Sequence, residues 1–176
     1  TNDEILSYED EKFPNQKFYN NAGKTERNGI EITGLYTLNR TIISSSYSLG
    51  DYVFKKFIEN KFNYKGNKIP GIPNDIFTLS IEHKTKNELF LNLNFKNIGT
   101  IYANNSNTIK VDEFNTFNFK IGKKFKLSRS IIYPYLIISN VFDKEYFDNI
   151  RINAFGGRYY EPAPKRTIFG GIRFTL

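Results

Sequence analysis

Along most of this 176-residue chain apolar and polar side chains alternate with a period of two, the repeat of a strand that has one dry face and one wet one. The clearest run sets Leu89, Leu91, Leu93 and Phe95 against Glu88, Asn92, Asn94 and Lys96. The same pattern places Phe77, Leu79 and Ile81 against Thr78, Ser80 and Glu82, and Phe117, Phe119 and Ile121 against Asn118 and Lys120. It closes the chain with Ile168, Gly170, Ile172, Phe174 and Leu176 opposed by Thr167, Arg173 and Thr175. Weaker alternation runs over Gly29 to Thr37 and Thr41 to Gly50, and Ser130 to Phe142 is more continuously apolar. Together with a partial strand near Glu4 to Tyr8 the pattern predicts about eight strands.

The predicted connections alternate between short and long. Short ones lie at Leu38 to Arg40, Lys84 to Asn87 and Lys126 to Arg129, the lengths of hairpin turns. Long ones occupy Glu9 to Asn28, Asp51 to Asn74, Gly99 to Glu113 and Asp143 to Arg166. An antiparallel up-and-down transmembrane β-barrel sorts its loops in this way, with short periplasmic turns and long extracellular loops, whereas a sandwich with Greek-key crossings has no reason to. In hydrocarbon an unpaired backbone amide or carbonyl costs several kcal/mol, so such strands close into a barrel, and the pattern fits either a complete small barrel or part of a large one. The C-terminus then falls on the periplasmic side.

Composition narrows the chemistry. With no cysteine and one histidine, His83, thiolate metal sites, disulfides and multi-imidazole sites are excluded, and His83 is expected to be a solvent-facing residue beside a short turn. No segment reaches the roughly 20 apolar residues of a membrane helix, since the best run, Ile131 to Ile138, is broken by Pro134. The chain opens without an initiator methionine or a signal-like segment, as a processed or excised chain would. Its formal charge of +7 reads as scattered surface lysine and arginine, so no nucleic-acid partner is expected, even at the basic cluster Lys123, Lys124, Lys126 and Arg129 beside a short turn. Gly23-Lys24-Thr25 is not a phosphate loop, because position 18, where the pattern needs glycine, is Phe18. No nucleophile, base and orienting group converge locally, so no enzyme, catalytic residue, cofactor or metal is expected.

Two loops are the candidates for ligand contact. Asp143 to Arg166 presents Arg151, Arg158, Tyr159 and Tyr160, groups suited to an anionic or catecholate ligand, but Gly156, Gly157, Pro162 and Pro164 favour reading it as a structural loop, which leaves Asp51 to Asn74 as the better place for specific recognition. Asp51 to Asn74 offers Lys55, Lys56, Lys61 and Lys65, which in the simpler reading are only solvated. Tyr47, Tyr52, Tyr102, Tyr133 and Tyr135 sit where interfacial aromatic girdles would, or in the core of a soluble barrel.

Four ordered segments carry a resemblance. They are Asn21 to Glu31, Tyr64-Lys65-Gly66-Asn67-Lys68-Ile69-Pro70-Gly71-Ile72-Pro73, Tyr102-Ala103-Asn104-Asn105-Ser106-Asn107-Thr108, and Ser139 to Tyr146 followed by Arg151 to Pro164. Their order and wording closely resemble the C-terminal β-barrel portion of TonB-dependent outer-membrane receptors. The resemblance implies a 22-stranded barrel filled by an N-terminal plug. It makes residues 1–176 roughly the last third of the wall, with plug and upstream strands absent. It also implies a Gram-negative outer membrane, surrounding lipid, the outer-membrane assembly machinery, and an inner-membrane energy-transducing complex reached through the plug. The cargo would be a small scarce nutrient, in the commonest case a ferric siderophore. Ile172, Phe174 and Leu176 would form the assembly signal, with the departure that the family usually ends in Phe, or less often Trp, where this chain has Leu176. Two other readings of the same pattern stay open: a self-contained small outer-membrane barrel with a structural or adhesion role, and a soluble ligand-binding barrel.

Overall fold

The structure, a computed structural model, describes residues 2, 5–10, 12–21, 23–59 and 61–176. In chain order its strands are β1 (Ile5–Asp10), β2 (Phe13–Asn21), β3 (Lys24–Leu38), β4 (Thr41–Lys56), β5 (Ile58–Glu59), β6 (Phe62–Asn63), β7 (Asp75–Lys84), β8 (Leu89–Ile98), β9 (Ile101–Tyr102), β10 (Lys110–Val111), β11 (Phe114–Lys123), β12 (Phe125–Lys126), β13 (Ile131–Ser139), β14 (Phe147–Ile150), β15 (Tyr160–Pro162) and β16 (Thr167–Thr175). Among the described residues a single 3-10 turn spans Phe155–Gly157.

The wall is a meander of β3, β4, β7, β8, β11, β13 and β16, each antiparallel to its neighbour in that order. The short β12 continues β11 in the same register, with Gly122 opposite Tyr135 and Phe125 opposite Ile132. The ladder lapses between them opposite Pro134, which has no N–H to give. Strands β7, β8, β11, β13 and β16 are 9 or 10 residues long, the length that crosses a hydrocarbon layer at a tilt. Within this chain the sheet does not close: β3 and β16 are its two edges.

Register propagates one face across all seven strands. Ile32 lies opposite Tyr47, Tyr47 opposite Phe77, Ile43 opposite Ile81, Ile81 opposite Leu93, Leu93 opposite Phe119, Ile121 opposite Leu136, and Pro134 opposite Ile172. The other face carries Thr33, Ser46, Thr78, Lys96 and Thr116 in one row, and Ser80, Asn94 and Asn118 in the next. There Ser46 and Thr78 hydroxyls meet at 2.8 Å, the Asn92 amide donates to Ser80 at 3.3 Å, and Asn94 donates to Asn92. Because side chains alternate across a strand, a one-residue slip in any pair would exchange these two sets.

Two sequence expectations change. The partial strand near Glu4 to Tyr8, whose Glu4 lies outside the described residues, is β1 and pairs with β2 rather than entering the wall. Asn2 bridges Lys24 in the register that pairs Ile5 with Asn21, so the β1–β2 hairpin extends the β3 end of the sheet. The long segments Glu9 to Asn28 and Asp51 to Asn74 are in large part strand, since β2, the start of β3 and the end of β4 fall inside them. These stretches lack one-sided patterning, but backbone pairing needs none: Lys55 meets Glu26 across the ladder at 2.9 Å.

The dry core sits where the long connections meet the ends of the wall strands. Phe54, Phe57 and Ile69 form one buried cluster under Tyr52, Tyr64 and Ile72, with ring centroids 5.0 Å apart for Phe54 and Phe57. Ile98, Ile101 and Val111 form a second, covered by Ile76, Phe114, Ile150 and Tyr160.

Candidate functional site

All the long connections emerge at one end of the wall, and asparagine side chains tie them to one another. Asn107, at φ 57°, accepts from the Lys68 amide at 2.7 Å and donates to the Lys68 carbonyl at 2.9 Å, standing in for a strand partner. Asn105 is 4 % exposed. Its backbone amide donates to Asn153 Oδ1 at 2.9 Å, while Asn153 Nδ2 donates back to Asn105 Oδ1 at 3.1 Å. Asn67 donates to the Asn105 carbonyl at 2.8 Å, and the Asn153 amide donates to the Ala103 carbonyl at 2.9 Å. Asn104 accepts from the amides of Thr108 and Ile109, folding its own loop. A local side-chain amide is well suited to this work, since it offers both donor and acceptor and tolerates the left-handed backbone that such turns need.

These clasps leave a polar recess of about 270 Å³ lined by Tyr8, Glu59, Tyr64, Asn104, Asn105, Ser106, Asn153 and Tyr159. Glu59 accepts from Asn20 at 3.4 Å and from Asn105 at 3.3 Å. Partial burial, with the Glu59 carboxylate adding to it, pushes the Tyr64 phenol above its ordinary pKa, so Tyr64 stays a neutral donor. The recess therefore offers three phenols around one carboxylate. Among the described residues no group of three or more His, Asp or Glu is placed to hold a metal ion.

The predicted contact residues divide. Arg151 is committed to Glu161, with Nε donating at 2.9 Å and a terminal nitrogen at 2.8 Å, while Asn149 holds the other carboxylate oxygen at 2.7 Å. These bonds, from Asn149 first and Arg151 second, hold the Glu161 carboxyl below the usual range. Tyr160 stacks on Phe147 at 4.7 Å and donates to the Lys110 carbonyl at 3.1 Å, and Lys55 is paired with Glu26. Tyr159 lines the recess. Lys61, at φ 71°, and Arg158 are exposed on the turns that carry Glu59 and Tyr159. Sequence reading missed Glu59, Tyr64, Asn105 and Asn153, which come from three separate long connections and have no local spacing to announce them.

Other assignments shift as well. His83 is on the apolar face and shares a hydrogen bond of 2.8 Å with Thr41, so it is a cross-strand partner rather than a solvent-facing residue. Of the five tyrosines read as girdle residues, Tyr47 lies on the apolar face. Tyr133 and Tyr135 lie on the polar face, Tyr52 packs on the Phe54 cluster, and Tyr102 belongs to a loop strand. Tyr133 and Tyr135 cover glycines: a Cβ on Gly122 would fall 2.6 Å from the Tyr133 hydroxyl, and one on Gly171 would fall 2.5 Å from that of Tyr135. Ile172 and Phe174 face outward with Pro134 and Ile132 as partners, 73 % and 58 % exposed, and Leu176 follows at the end of β16.

A meander with one apolar face, one polar face and its long loops at one end is a segment of an up-and-down membrane β-barrel. The family model described as TonB dependent receptor-like, beta-barrel, matches residues 1–156, and the chain belongs to that family. The fold resembles the siderophore receptor PiuA from Acinetobacter baumannii, at 20% identity and a TM-score of 0.72, over 89% of this chain and 23% of that one. It also resembles BauA, the ferric preacinetobactin receptor of Acinetobacter baumannii, at 17% identity and a TM-score of 0.76, over 97% and 25%. A third likeness is to the ferric yersiniabactin uptake receptor FyuA of Yersinia pestis, at 20% identity and a TM-score of 0.67, over 89% and 24%. The chain thus spans about a quarter of the length of these receptors, and the likeness is one of fold.

Proposed function

We propose that the chain is the C-terminal part of the barrel wall of a TonB-dependent outer-membrane receptor that imports a scarce nutrient, with a ferric siderophore as the cargo, and that it carries no enzymatic activity of its own. The observation that supports this most is the continuous pair of faces, apolar through Leu79, Leu93 and Phe119 and polar through Ser80, Asn94 and Asn118, in a member of this family. The apolar face meets outer-membrane lipid, the polar face lines the lumen beside a plug, and the plug passes energy from the inner-membrane complex. The long loops are extracellular. Ligand contact falls to the recess at Tyr64, Glu59 and Tyr159 and to the exposed Lys61 and Arg158 beside it. Arg151, Tyr160 and Lys55 hold the loops in shape. In the last strand Ile172, Phe174 and Leu176 are the assembly signal.

The test is growth under iron limitation of a parent strain and of one lacking the full-length gene, each fed single ferric catecholates, hydroxamates or carboxylates. Loss of growth on one class, restored by the intact gene but not by a form with Tyr64→Ala and Tyr159→Ala, is the expected result. Identical growth of parent and deletion strain on every class sinks the siderophore reading. A deletion phenotype that the double variant fully restores moves ligand contact away from the recess.

A further inference from the structure

We propose that the short-turn end of the wall is a docking rim for the phosphate headgroups of anionic phospholipid. The sequence shows one basic cluster, Lys123, Lys124, Lys126 and Arg129, with the other cations scattered, and the meander brings Arg40, Lys84 and Lys86 to the same end. The turns that join β3 to β4, β7 to β8 and β11 to β13 all lie at one end, and they and their flanks carry Arg40, Lys84, Lys86, Lys123, Lys124, Lys126 and Arg129. Lys84, Lys124 and Lys126 end rows of the polar face, whereas Lys123 ends a row of the apolar face and Arg40, Lys86 and Arg129 stand one on each turn, so these four are the cations within reach of a surrounding leaflet. The only carboxylate in those segments is Glu88, so the rim has a net charge of +6 out of the +7 of the whole chain. Glu88 does not offset its neighbours evenly, because Lys84 takes it at 2.9 Å. That hydrogen bond, joined by the charges of Lys126 and Lys124, holds its carboxyl below the usual range. The remainder of the chain is close to neutral, and the charge is polarised along the strand direction.

The rim has the composition of a lipid–water boundary and not only its charge. Phe125 pairs with Ile132 on the apolar face and is 45% exposed, Leu127 beyond it is 55% exposed, and the Lys123 ammonium lies 5.1 Å from the Phe125 ring centroid. A cation on a long apolar stem above an aromatic ring at the edge of a hydrocarbon-facing surface can keep its stem in the apolar layer and its charge among headgroups. The three turns follow the sheet edge with two strand spacings between successive turns, about 10 Å, so the cations form an arc at one height rather than a patch. Headgroups of a surrounding leaflet lie along such an arc, whereas a folded protein or a nucleic acid would meet a patch.

This inference rests on the membrane reading above, and the experiment separates the two. The full-length receptor is reconstituted in phosphatidylcholine vesicles carrying spin-labelled phosphatidylglycerol or spin-labelled phosphatidylcholine, and the motionally restricted fraction gives the relative association of each lipid. A preference of roughly fivefold for phosphatidylglycerol is expected for rim sites, lost at 1 M salt where the screening length is about 3 Å. The exposed-turn variant Arg40→Gln, Lys86→Gln, Arg129→Gln, one substitution on each turn, should lose the preference. The charge-matched variant Lys56→Gln, Lys65→Gln, Lys144→Gln, among the long loops, should keep it. Equal association of the two lipids, a preference that survives the rim substitutions, or equal loss in both variants overturns the rim. Absence of any restricted lipid overturns the membrane reading and the rim with it.

Discussion

Leu93 and Asn94 are adjacent in β8, yet register places them on opposite faces, and replacing each with arginine tests that assignment directly. Leu93 is the fifth of the ten residues of Leu89–Ile98, and its direct cross-strand partners are Ile81 and Phe119. In a tilted ten-residue strand that is the level of the bilayer midplane, where an arginine on the lipid face costs about 2 to 4 kcal/mol. The expected penalty is therefore a factor of roughly 30 to 1,000 in the folding equilibrium. Asn94 faces Ser80 and Asn118 and donates to Asn92. Arginine there gives up one hydrogen bond, about 1 kcal/mol, and keeps its charge in water. Both substitutions add the same charge to the same strand, so backbone propensity and net charge cancel in the comparison. The assay is the amount of compact, heat-modifiable full-length receptor in the outer-membrane fraction, backed by denaturant midpoints in vesicles. Leu93→Arg should fall well below Asn94→Arg in both. If Asn94→Arg is the more damaging, the face assignment is reversed. If the two are equal, the wall is not bounded by lipid on one side.

Three further outcomes follow from individual contacts. Gly171→Ala, which drives a methyl into Tyr135, should lower stability by about 1 to 3 kcal/mol, while Gly170→Ala, whose nearest neighbour is 3.9 Å away on the other face, should stay within about 0.5 kcal/mol; equal shifts in unfolding midpoint would show that Tyr135 moves aside freely. Because the folded pKa of Glu161 is depressed, its stabilising bonds to Asn149 and Arg151 are present above the ordinary carboxylate pKa and are lost as pH falls through the depressed value. Protease cleavage of the β14–β15 hairpin should rise on acidification in the native receptor and be insensitive to pH in Glu161→Gln. Phe174→Asp or Leu176→Asp should reduce assembled receptor, less severely than Leu93→Arg because the end of β16 is near the edge of the apolar face; unchanged amounts of folded receptor would remove these residues from the assembly signal.

How much of this was legible in the chain depended on whether a constraint was local. Where one face of a strand must be dry and the other wet, as in β8, the period of two fixes both the element and its orientation. In β13 the two phases read Ile131, Tyr133, Tyr135, Ile137 and Ile132, Pro134, Leu136, Ile138, apolar or aromatic on both sides, and period alone cannot orient it. Orientation comes from β11, where Ile121 opposes Leu136, and it places both tyrosines over glycines of neighbouring strands instead of in a girdle. The extensions of β3 and β4 beyond the patterned region were hidden for the opposite reason, since strands with water on both sides have no face that must be apolar. The rim was hidden because position 40, positions 84–86 and positions 123–129 become neighbours only through the meander.

The same distinction explains why the family was readable and its ligand was not. The segments that carry the resemblance contain Asn67, Asn105, Asn107 and Asn153, whose side chains are spent on bonds between loops at 2.7 to 3.1 Å. A receptor for any cargo needs its loops held at the mouth of its barrel, so residues doing this identify the architecture and are indifferent to what passes through it. Arg151 and Tyr160 belong to that group despite their suitable chemistry, because Glu161 and the Lys110 carbonyl already occupy them. On the proposed function, discrimination falls to groups with donors or charge facing solvent: Tyr64 and Tyr159 in the recess and the exposed Lys61 and Arg158, which come from two separate loops. On that reading, recognition depends on the juxtaposition of loops by the asparagine clasp, so substitutions within one loop should tune affinity for a ferric ligand, while breakage of the clasp at Asn105 or Asn153 should abolish binding of every ligand alike in a titration of the full-length receptor.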